Sequence, residues 1–247
     1  MCRHLAYLGP PLAIGDLLFD APHALCHQGC APREMVVAKD NPDGWGVAWW
    51  DPDAAEPHHY RTTARMWDDD GFVSGAHRAT TVLGAVRKAS PNTTLESVNN
   101  APFVAASRLG ALAFSLNGHV FHPSCAARVR GAVPPGVTIV GNTDSEAVFA
   151  IIRAAIAAGS GAAAAVAAAH HVITPDHEVH VNLLLVTRDE IVATTWQHTL
   201  YVRQLDIATT VSSEPLDSAP GWARVPDASL LVACRDRITT TPLEGLR

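Results

Sequence analysis

The sequence predicts an α+β protein built on antiparallel sheets. Strand-like segments lie towards both ends of the 247-residue chain, and helical segments lie between them. Neighbouring strand-like segments are separated by short turn signals, which indicate hairpins instead of a regular alternation of strand and helix. No low-complexity linker divides the sequence, so we expect a single domain over residues 1–247, or 2–247 once the initiator methionine is removed.

The N-terminal half contains three predicted strands. The segment GWGVAWW (44–50) follows the turn sequence NPDG, and PHHYRTTA (57–64) lies across a short loop as its predicted hairpin partner. The segment ALAFSLNGHVF (111–121) is rich in apolar residues and is predicted as a buried strand that runs into an Asn-Gly turn.

Two helices are predicted in the middle of the chain. DSEAVFAIIRAAIAA, from Asp144 to Ala158, has apolar residues at helical spacing behind an Asp/Ser cap, with Glu146 in the first turn. A second helix is predicted from Ala162 to His170.

Strands return after Pro175. HVNLLLVTRDEIVATTW contains two apolar runs on either side of a turn at residues 188–190. The segments TLYVRQL, ATTVSSEPL and SLLVACRDRITTTPL follow, the last with a turn near residues 235–236. These segments predict further antiparallel hairpins.

Composition and charge exclude several classes of protein. A formal net charge of −6 argues against a nucleic-acid-binding face. The longest apolar candidate, GAAAAVAAAHHVI, is too short to span a bilayer, and the N-terminal sequence lacks the features of a signal peptide. Five cysteines without framework spacing indicate unpaired thiols in a reducing compartment. We therefore expect a cytoplasmic protein with neither nucleic-acid nor membrane partners, and the sequence leaves its oligomeric state open.

Cys2 has two interpretations. A cysteine is most often a small buried hydrophobe. A small side chain at the second position, however, generally permits removal of Met1, which leaves a free α-amine a few ångströms from the thiol. An N-terminal amine can then act as the base for this adjacent nucleophile.

Histidines and cysteines in HALCHQGC resemble a metal site but fit one poorly. His23, Cys26, His27 and Cys30 are spaced to share one helix face. Gly29 disfavours a regular helix there, four ligands on one straight helix do not easily surround an ion, and no second ligand pair has matching spacing. We predict no metal site, and we expect the His58-His59 and His170-His171 pairs to lie at the surface or at helix ends.

Three short motifs are ambiguous when taken singly. LNGHVF is typical of a turn, but it can also aim an amide side chain and a backbone N–H at one oxyanion. GNTDSE is typical of a helix cap, but its carboxylate could bind a substrate ammonium group. AVRKAS offers a guanidinium for a substrate carboxylate.

The ordered set of motifs resembles a known family. Cys2 followed by NPDGWGVAWW, AVRKAS, NNAPF, LAFSLNGHV, GNTDSE and VSSEP resembles the glutaminase domain of class II glutamine amidotransferases, the cysteine-using branch of the N-terminal-nucleophile hydrolases. The resemblance covers nearly the whole chain and implies a four-layer αββα sandwich of two antiparallel sheets. MCRHLAYLG, DGWG, ATTWQHTLYV and VSSEPLD…GWARVPD are most similar to the ergothioneine-biosynthesis amidohydrolases of that family, which remove the γ-glutamyl group from γ-glutamyl-hercynylcysteine S-oxide.

The resemblance implies catalytic roles for three residues. Cys2 takes the place of the nucleophile, with its own α-amine as the base. Asn117 through its side-chain amide and Gly118 through its backbone N–H match the oxyanion-hole pair. Leu116 departs from the family, which usually has histidine before the Asn-Gly; this change is expected to alter the support of the hole but not the chemistry. Neither a cofactor nor a metal is implied.

The resemblance also implies how a small γ-glutamyl substrate is held. Arg87 matches the arginine that binds the glutamyl α-carboxylate, with Arg78 as a competitor, and Asp144 matches the acid that binds the α-ammonium group. Trp45 is the preferred aromatic face for a trimethylammonium group, chosen among six tryptophans.

Two other functions stay open at the level of sequence. No acceptor domain follows the glutaminase-sized region, which favours a stand-alone amidohydrolase. The alternative is a glutaminase subunit of an amidotransferase that donates ammonia to a separate synthase. A non-catalytic paralogue would only bind a glutamyl ligand, and a retained or blocked N-terminus would favour it.

Overall fold

The computed structural model describes residues 2–35, 39–73, 75, 77–90, 93–119, 123–174 and 179–243. Its strands, in chain order, are β1 (Arg3–Ala13), β2 (Trp45–Trp50), β3 (His58–Thr62), β4 (Arg78–Val86), β5 (Phe103–Ser107), β6 (Gly110–His119), β7 (His180–Val186), β8 (Ile191–Thr195), β9 (Tyr201–Leu205), β10 (Ala208–Ser212), β11 (Ala223–Arg224), β12 (Ser229–Ala233) and β13 (Ile238–Pro242). Its α-helices are α1 (Leu25–Cys30), α2 (Pro123–Gly131), α3 (Asp144–Ala157) and α4 (Ala162–Ile173).

The strands form two antiparallel sheets, as the sequence predicts. The first sheet has the order β11-β9-β10-β1-β4-β2-β3, and the second has the order β13-β12-β8-β7-β6-β5. Strand β1 lies inside the first sheet between β10 and β4, so the N-terminal end of the described chain is carried at the end of a central strand.

Three apolar cores separate four layers. Leu8, Trp50 and Leu184 belong to the core between the two sheets. Helices α2, α3 and α4 cover the outer face of the second sheet, where Phe114 and Phe149 stack. Helix α1 and the short helical segment Asp16–Asp20 cover the outer face of the first sheet. This arrangement is the αββα sandwich that the resemblance implies.

Most of the predicted elements are confirmed. Strand β2 pairs with β3 in the predicted hairpin, and turns separate β7 from β8 and β12 from β13 where the sequence indicates them. Helix α3 matches its predicted range to within one residue, and α4 continues three residues beyond His170. In the described part of the chain, no helix is both long enough and apolar enough to cross a membrane.

The predicted Asn-Gly turn is wrong. Asn117 and Gly118 lie within β6, where they pair with Asn182 and Val181 of β7. The tendency of an Asn-Gly pair to turn is local, and here it is overridden by pairing with a strand more than sixty residues later in the chain.

A short helix also forms where Gly29 was expected to disfavour one. Gly29 lies in α1, and a Cβ at this position would contact Val86 at 3.4 Å and Trp67 at 3.6 Å. Both are ordinary van der Waals distances, so the site does not require a glycine, and the helix forms because tertiary packing overrides the low intrinsic helix propensity of Gly29.

Candidate active site

Cys2 opens onto a cavity between the ends of the two sheets. It directly precedes β1, it is half-buried, and its Sγ lies 4.0 Å from the carbonyl oxygen of Lys88. The cavity holds about 640 Å³ of empty space, part of it open to solvent. Arg87, Gly118 and Asp144 line the same cavity, so four of the six predicted site residues converge on it.

Arg87 is held at the end of β4 by neighbouring polar groups. The residue is 7 % exposed, and its guanidinium donates to Asn100 Oδ1 at 3.1 Å and Thr93 Oγ1 at 2.9 Å. Both terminal nitrogens also lie 3.3 Å from the carbonyl oxygen of Thr94. Burial lowers the pKa of Arg87, and the charge of Cys2 opposes that shift. These contacts fix a planar, buried cation at the cavity wall, a geometry suited to a carboxylate.

Asp144 is the first residue of α3. Thr143 caps this helix by accepting a hydrogen bond from the backbone N–H of Glu146 at 3.2 Å. The carboxylate of Asp144 is about one-third exposed, and it lies 3.6 Å from the guanidinium of Arg130. Asp144 and Arg87 both line the cavity, which provides one charged partner for each end of an α-amino acid.

Gly118 is positioned with its backbone N–H towards the cavity. Val181 opposite it donates its N–H to Trp196, away from β6, so Gly118 and Val181 form a pair without mutual hydrogen bonds. In such a pair the N–H and C=O of both residues point outward. The outward edge of β6 at Gly118 is uncovered by strand pairing, because β5 pairs with β6 only from Gly110 to Phe114.

Asn117 is completely buried beside this position. Its Nδ2 donates to Ser213 Oγ at 3.0 Å, and its Oδ1 lies 3.2 Å from His198 Nε2. An amide nitrogen carries two N–H bonds, so one remains beyond that donated to Ser213. The assignment of Asn117 and Gly118 to an oxyanion hole stays a prediction, and their placement side by side next to the Cys2 cavity is what that role needs.

We expect Gly118→Ala to destabilise the protein by about 2–3 kcal/mol, or roughly 5–10 °C in Tm. The φ of Gly118 is +152°, and an added Cβ would collide with the carbonyl oxygen of His180 and with Val181 Cα, both backbone atoms. Thermal unfolding measures the change. Gly131→Ala is the matched control, because nothing lies within 4 Å of a Cβ built there, and an equal loss of Tm in both variants would contradict the account.

Trp45 does not reach the cavity, which corrects the expectation that it lines the substrate pocket. Its side chain is fully buried on the outer face of β2, where its ring contacts Phe19 and Phe72 edge-on. The indole N–H donates to Asp69 Oδ2 at 2.9 Å. A count of tryptophans does not tell which sheet face each occupies, and this one belongs to the core under α1.

The competing arginine lies elsewhere. Arg78 begins β4 at the end opposite Arg87, is exposed, and donates to the carbonyl oxygen of Pro11 at 2.7 Å. Within the described residues, no group of three or more histidine, cysteine, aspartate or glutamate side chains is arranged to hold a metal ion. His23 of the HALCHQGC cluster is instead committed to Glu214.

A buried ionic network next to Cys2 was not predicted from the sequence. Arg3 is completely buried, and its Nη2 lies 2.9 Å from Glu214 Oε1. The other carboxylate oxygen of Glu214 receives His23 Nε2 at 2.7 Å and the backbone N–H of Arg33 at 2.8 Å. The VSSEP motif contains Glu214, but nothing in the local sequence indicates which residues pair with it, since these lie 180 to 211 residues earlier.

The stability that Glu214 provides should depend on pH. Burial alone would raise the pKa of Glu214, but the hydrogen bonds from His23 and from the Arg33 and Glu34 backbone, with the charge of Arg3, lower it to about 2. A carboxyl with a lowered folded-state pKa stabilises the fold above its unfolded pKa of roughly 4.3 and loses this contribution as the pH falls towards 2. We expect Glu214→Gln to cost about 3 kcal/mol at pH 7, with a smaller cost at each step below pH 4.5. Denaturant unfolding across pH tests this, and a cost independent of pH would contradict it.

Comparisons with known proteins agree with the fold. The family model for class II glutamine amidotransferases matches residues 16–206. The gamma-glutamyl-hercynylcysteine sulfoxide hydrolase of Mycolicibacterium smegmatis is 34% identical over 98% of this chain and all of its own length, and that of Mycobacterium tuberculosis is 32% identical over 99% of this chain and 97% of its own. A solved glutamine aminotransferase class-II domain protein from Silicibacter pomeroyi superposes with a TM-score of 0.69 at 19% identity, covering 98% of this chain and 99% of that one. The chain therefore belongs to the class II glutamine amidotransferase family.

Proposed function

We propose that this protein is a cysteine-dependent amidohydrolase that cleaves the γ-glutamyl amide bond of γ-glutamyl-hercynylcysteine S-oxide, giving glutamate and hercynylcysteine S-oxide. The observation that carries the proposal is the convergence of Cys2, Arg87, Gly118 and Asp144 on one cavity. The two hydrolases that are 34% and 32% identical over nearly the full chain support this substrate.

The glutamyl group is held by opposite charges at its α-carbon. Arg87 offers a buried, fixed guanidinium to the α-carboxylate, and Asp144 offers a carboxylate to the α-ammonium group. Two charged anchors fix the direction of the side chain, which leads the γ-carbonyl towards the thiol.

The reaction then follows in balanced steps. The Cys2 thiolate, formed when the thiol proton passes to the α-amine, attacks the γ-carbonyl carbon and places negative charge on the carbonyl oxygen. The second N–H of Asn117 and the backbone N–H of Gly118 stabilise that oxyanion. The C–N bond breaks as the leaving amine takes the proton from the α-amine, and water hydrolyses the γ-glutamyl thioester to glutamate and free thiol.

We infer that the protein works in the cytoplasm as a single domain on a small molecule. Cys2, Cys26, Cys30 and Cys234 are free thiols, which is consistent with a reducing compartment. The net charge of −6 supports a protein without nucleic-acid partners.

A glutamate-release assay tests the proposed function. The protein is first checked by intact mass for removal of Met1, and γ-glutamyl-hercynylcysteine S-oxide is then compared with glutamine at equal concentrations. We expect rapid release of glutamate from the first and little from the second. A preference for glutamine would replace the proposal with a glutaminase subunit that serves a separate synthase, and no release from either would overturn both.

A further inference from the structure

We propose that His198 is a positioning residue that fixes the orientation of the Asn117 side-chain amide, so that its nitrogen and not its oxygen serves the oxyanion. This inference rests on the proposed function and assigns a role to a residue outside the cavity lining. It follows from the hydrogen-bond partners of three buried side chains.

The hydrogen bonds of Ser213 to His4 influence which end of the Asn117 amide Ser213 contacts. Its Oγ donates to the carbonyl oxygen of His4 at 3.2 Å and accepts from the backbone N–H of His4 at 3.0 Å. A hydroxyl has one proton to donate and two lone pairs to offer. When its proton goes to His4, Ser213 accepts from Asn117, and its contact at 3.0 Å is then made with an N–H.

His198 supplies the complementary requirement at the other end of the amide. Its Nε2 lies 3.2 Å from Asn117 Oδ1, which only accepts hydrogen bonds, so Nε2 must carry a proton. Burial, followed by the charges of Arg3 and His180, lowers the pKa of His198 to about 3. The ring is then neutral near pH 7, and its single proton sits on Nε2.

A flipped amide would be penalised at both ends. The carbonyl oxygen of Asn117 could receive the Ser213 proton only if that hydroxyl gave up its bond to His4, and the NH₂ group would face the N–H of His198. The flip would also present an acceptor where the oxyanion needs a donor. Buried polar groups left without a hydrogen bond are costly, which favours the orientation that satisfies both ends.

His198 lies in a turn that is held in place by hydrogen bonds to neighbouring side chains. Asn182, which pairs with Asn117 across β6 and β7, accepts from the backbone N–H of Trp196 at 3.3 Å and donates to the carbonyl oxygen of Thr199 at 2.8 Å. Gln197 has a φ of +53°, and its backbone N–H donates to Asp227 at 2.6 Å. Gln197, directly before His198, is thus held in a left-handed conformation. Asn182, which bonds to both ends of the turn, is the strand neighbour of Asn117, whose amide is to be positioned.

This arrangement also accounts for the departure at Leu116. Leu116 is 6 % exposed and packs in the core beneath α3, so it gives Asn117 no hydrogen bond. The polar support of Asn117 comes instead from the other side of β6, through His198 and Ser213.

Steady-state kinetics of His198→Ala and His198→Gln test the inference. We expect His198→Ala to lower kcat by about 10- to 100-fold, since a complete oxyanion donor is worth about 10²- to 10³-fold, and to change KM less than twofold. The amide N–H of His198→Gln can still donate to Asn117 Oδ1, so this variant should recover most of kcat. His198→Glu can only accept when ionised and should be at least as impaired as His198→Ala. His27→Ala, which changes an exposed histidine on α1, is the matched control and should leave kcat unchanged.

An inhibitor separates positioning from general damage. A γ-glutamyl aldehyde adds the Cys2 thiol across its C=O bond and forms a tetrahedral adduct whose oxygen occupies the oxyanion position. Its affinity should fall in His198→Ala in parallel with kcat, while the affinity for glutamate, which forms no such adduct, stays within twofold. Equal kcat in wild type and His198→Ala, or equal losses in His198→Ala and His198→Gln, would overturn the inference.

The tautomer of His198 gives a readout that does not depend on turnover. Nitrogen chemical shifts of histidine-labelled wild-type protein at pH 7 should show a neutral ring protonated at Nε2. A proton at Nδ1 would overturn the inference even if the enzyme is active. If wild type released no glutamate while the Nε2–H tautomer was found, the proposed function would fail and the positioning of Asn117 would stand.

Discussion

Cys2→Ala should abolish glutamate release, with a loss of at least about 10⁴-fold in kcat. The proposed reaction passes through a thioester on this sulfur, and no other cysteine among the described residues lines the cavity. Cys2→Ser should retain only a trace of activity, because a hydroxyl is a much weaker nucleophile than a thiol. The measurement is glutamate released over hours at high enzyme concentration.

Two controls test whether the loss of activity is specific to the nucleophile. Cys2→Ala removes one sulfur from a half-buried position, so its Tm should stay close to wild type, and it should still bind the substrate in calorimetry. Cys30→Ala removes an exposed thiol from α1 and should retain full activity. Residual activity of Cys2→Ala within tenfold of wild type would exclude the thioester mechanism.

The fold could be predicted from the sequence where local patterns and tertiary packing agree. The hairpin of β2 and β3 and the helix α3 have clear turn, cap and periodicity signals, and both form as predicted. The turn predicted at Asn117 and Gly118 was wrong because the turn signal is local, whereas the strand conformation depends on pairing with β7. Local propensity carries no information about that later strand.

The candidate site shows the same division. Cys2, Arg87 and Asp144 could be named from ordered motifs, and the fold brings them to one cavity. Their supporting groups could not be named, because Asn117 meets His198 and Ser213 across 81 and 96 residues of sequence. Trp45 was misplaced for a related reason, since alternation along β2 decides which face a side chain occupies and the motif alone does not show which face is open.

The second large effect is expected at the arginine that would bind the substrate carboxylate. We expect Arg87→Ala to lower kcat/KM by about 30- to 4,000-fold, the equivalent of 2–5 kcal/mol for truncating one partner of a buried charge pair. Most of the loss should appear as a higher KM. Arg87→Lys keeps the positive charge but loses the planar fork, so it should be intermediate between Arg87→Ala and wild type.

Arg78→Ala is the matched control, because Arg78 lies on the same strand at the far end from the cavity and is exposed. It should leave kcat/KM within twofold of wild type, which would decide between the two arginines that the sequence left in competition. Arg87 also donates to Thr93 and Asn100, so its removal could loosen that wall of the cavity as well. A des-carboxy substrate, which lacks the α-carboxylate, separates the two effects: if Arg87 acts on the carboxylate, Arg87→Ala and wild type should turn over this substrate with similar kcat/KM. A loss on the des-carboxy substrate as large as that on the full substrate would show that Arg87 acts only through the cavity wall.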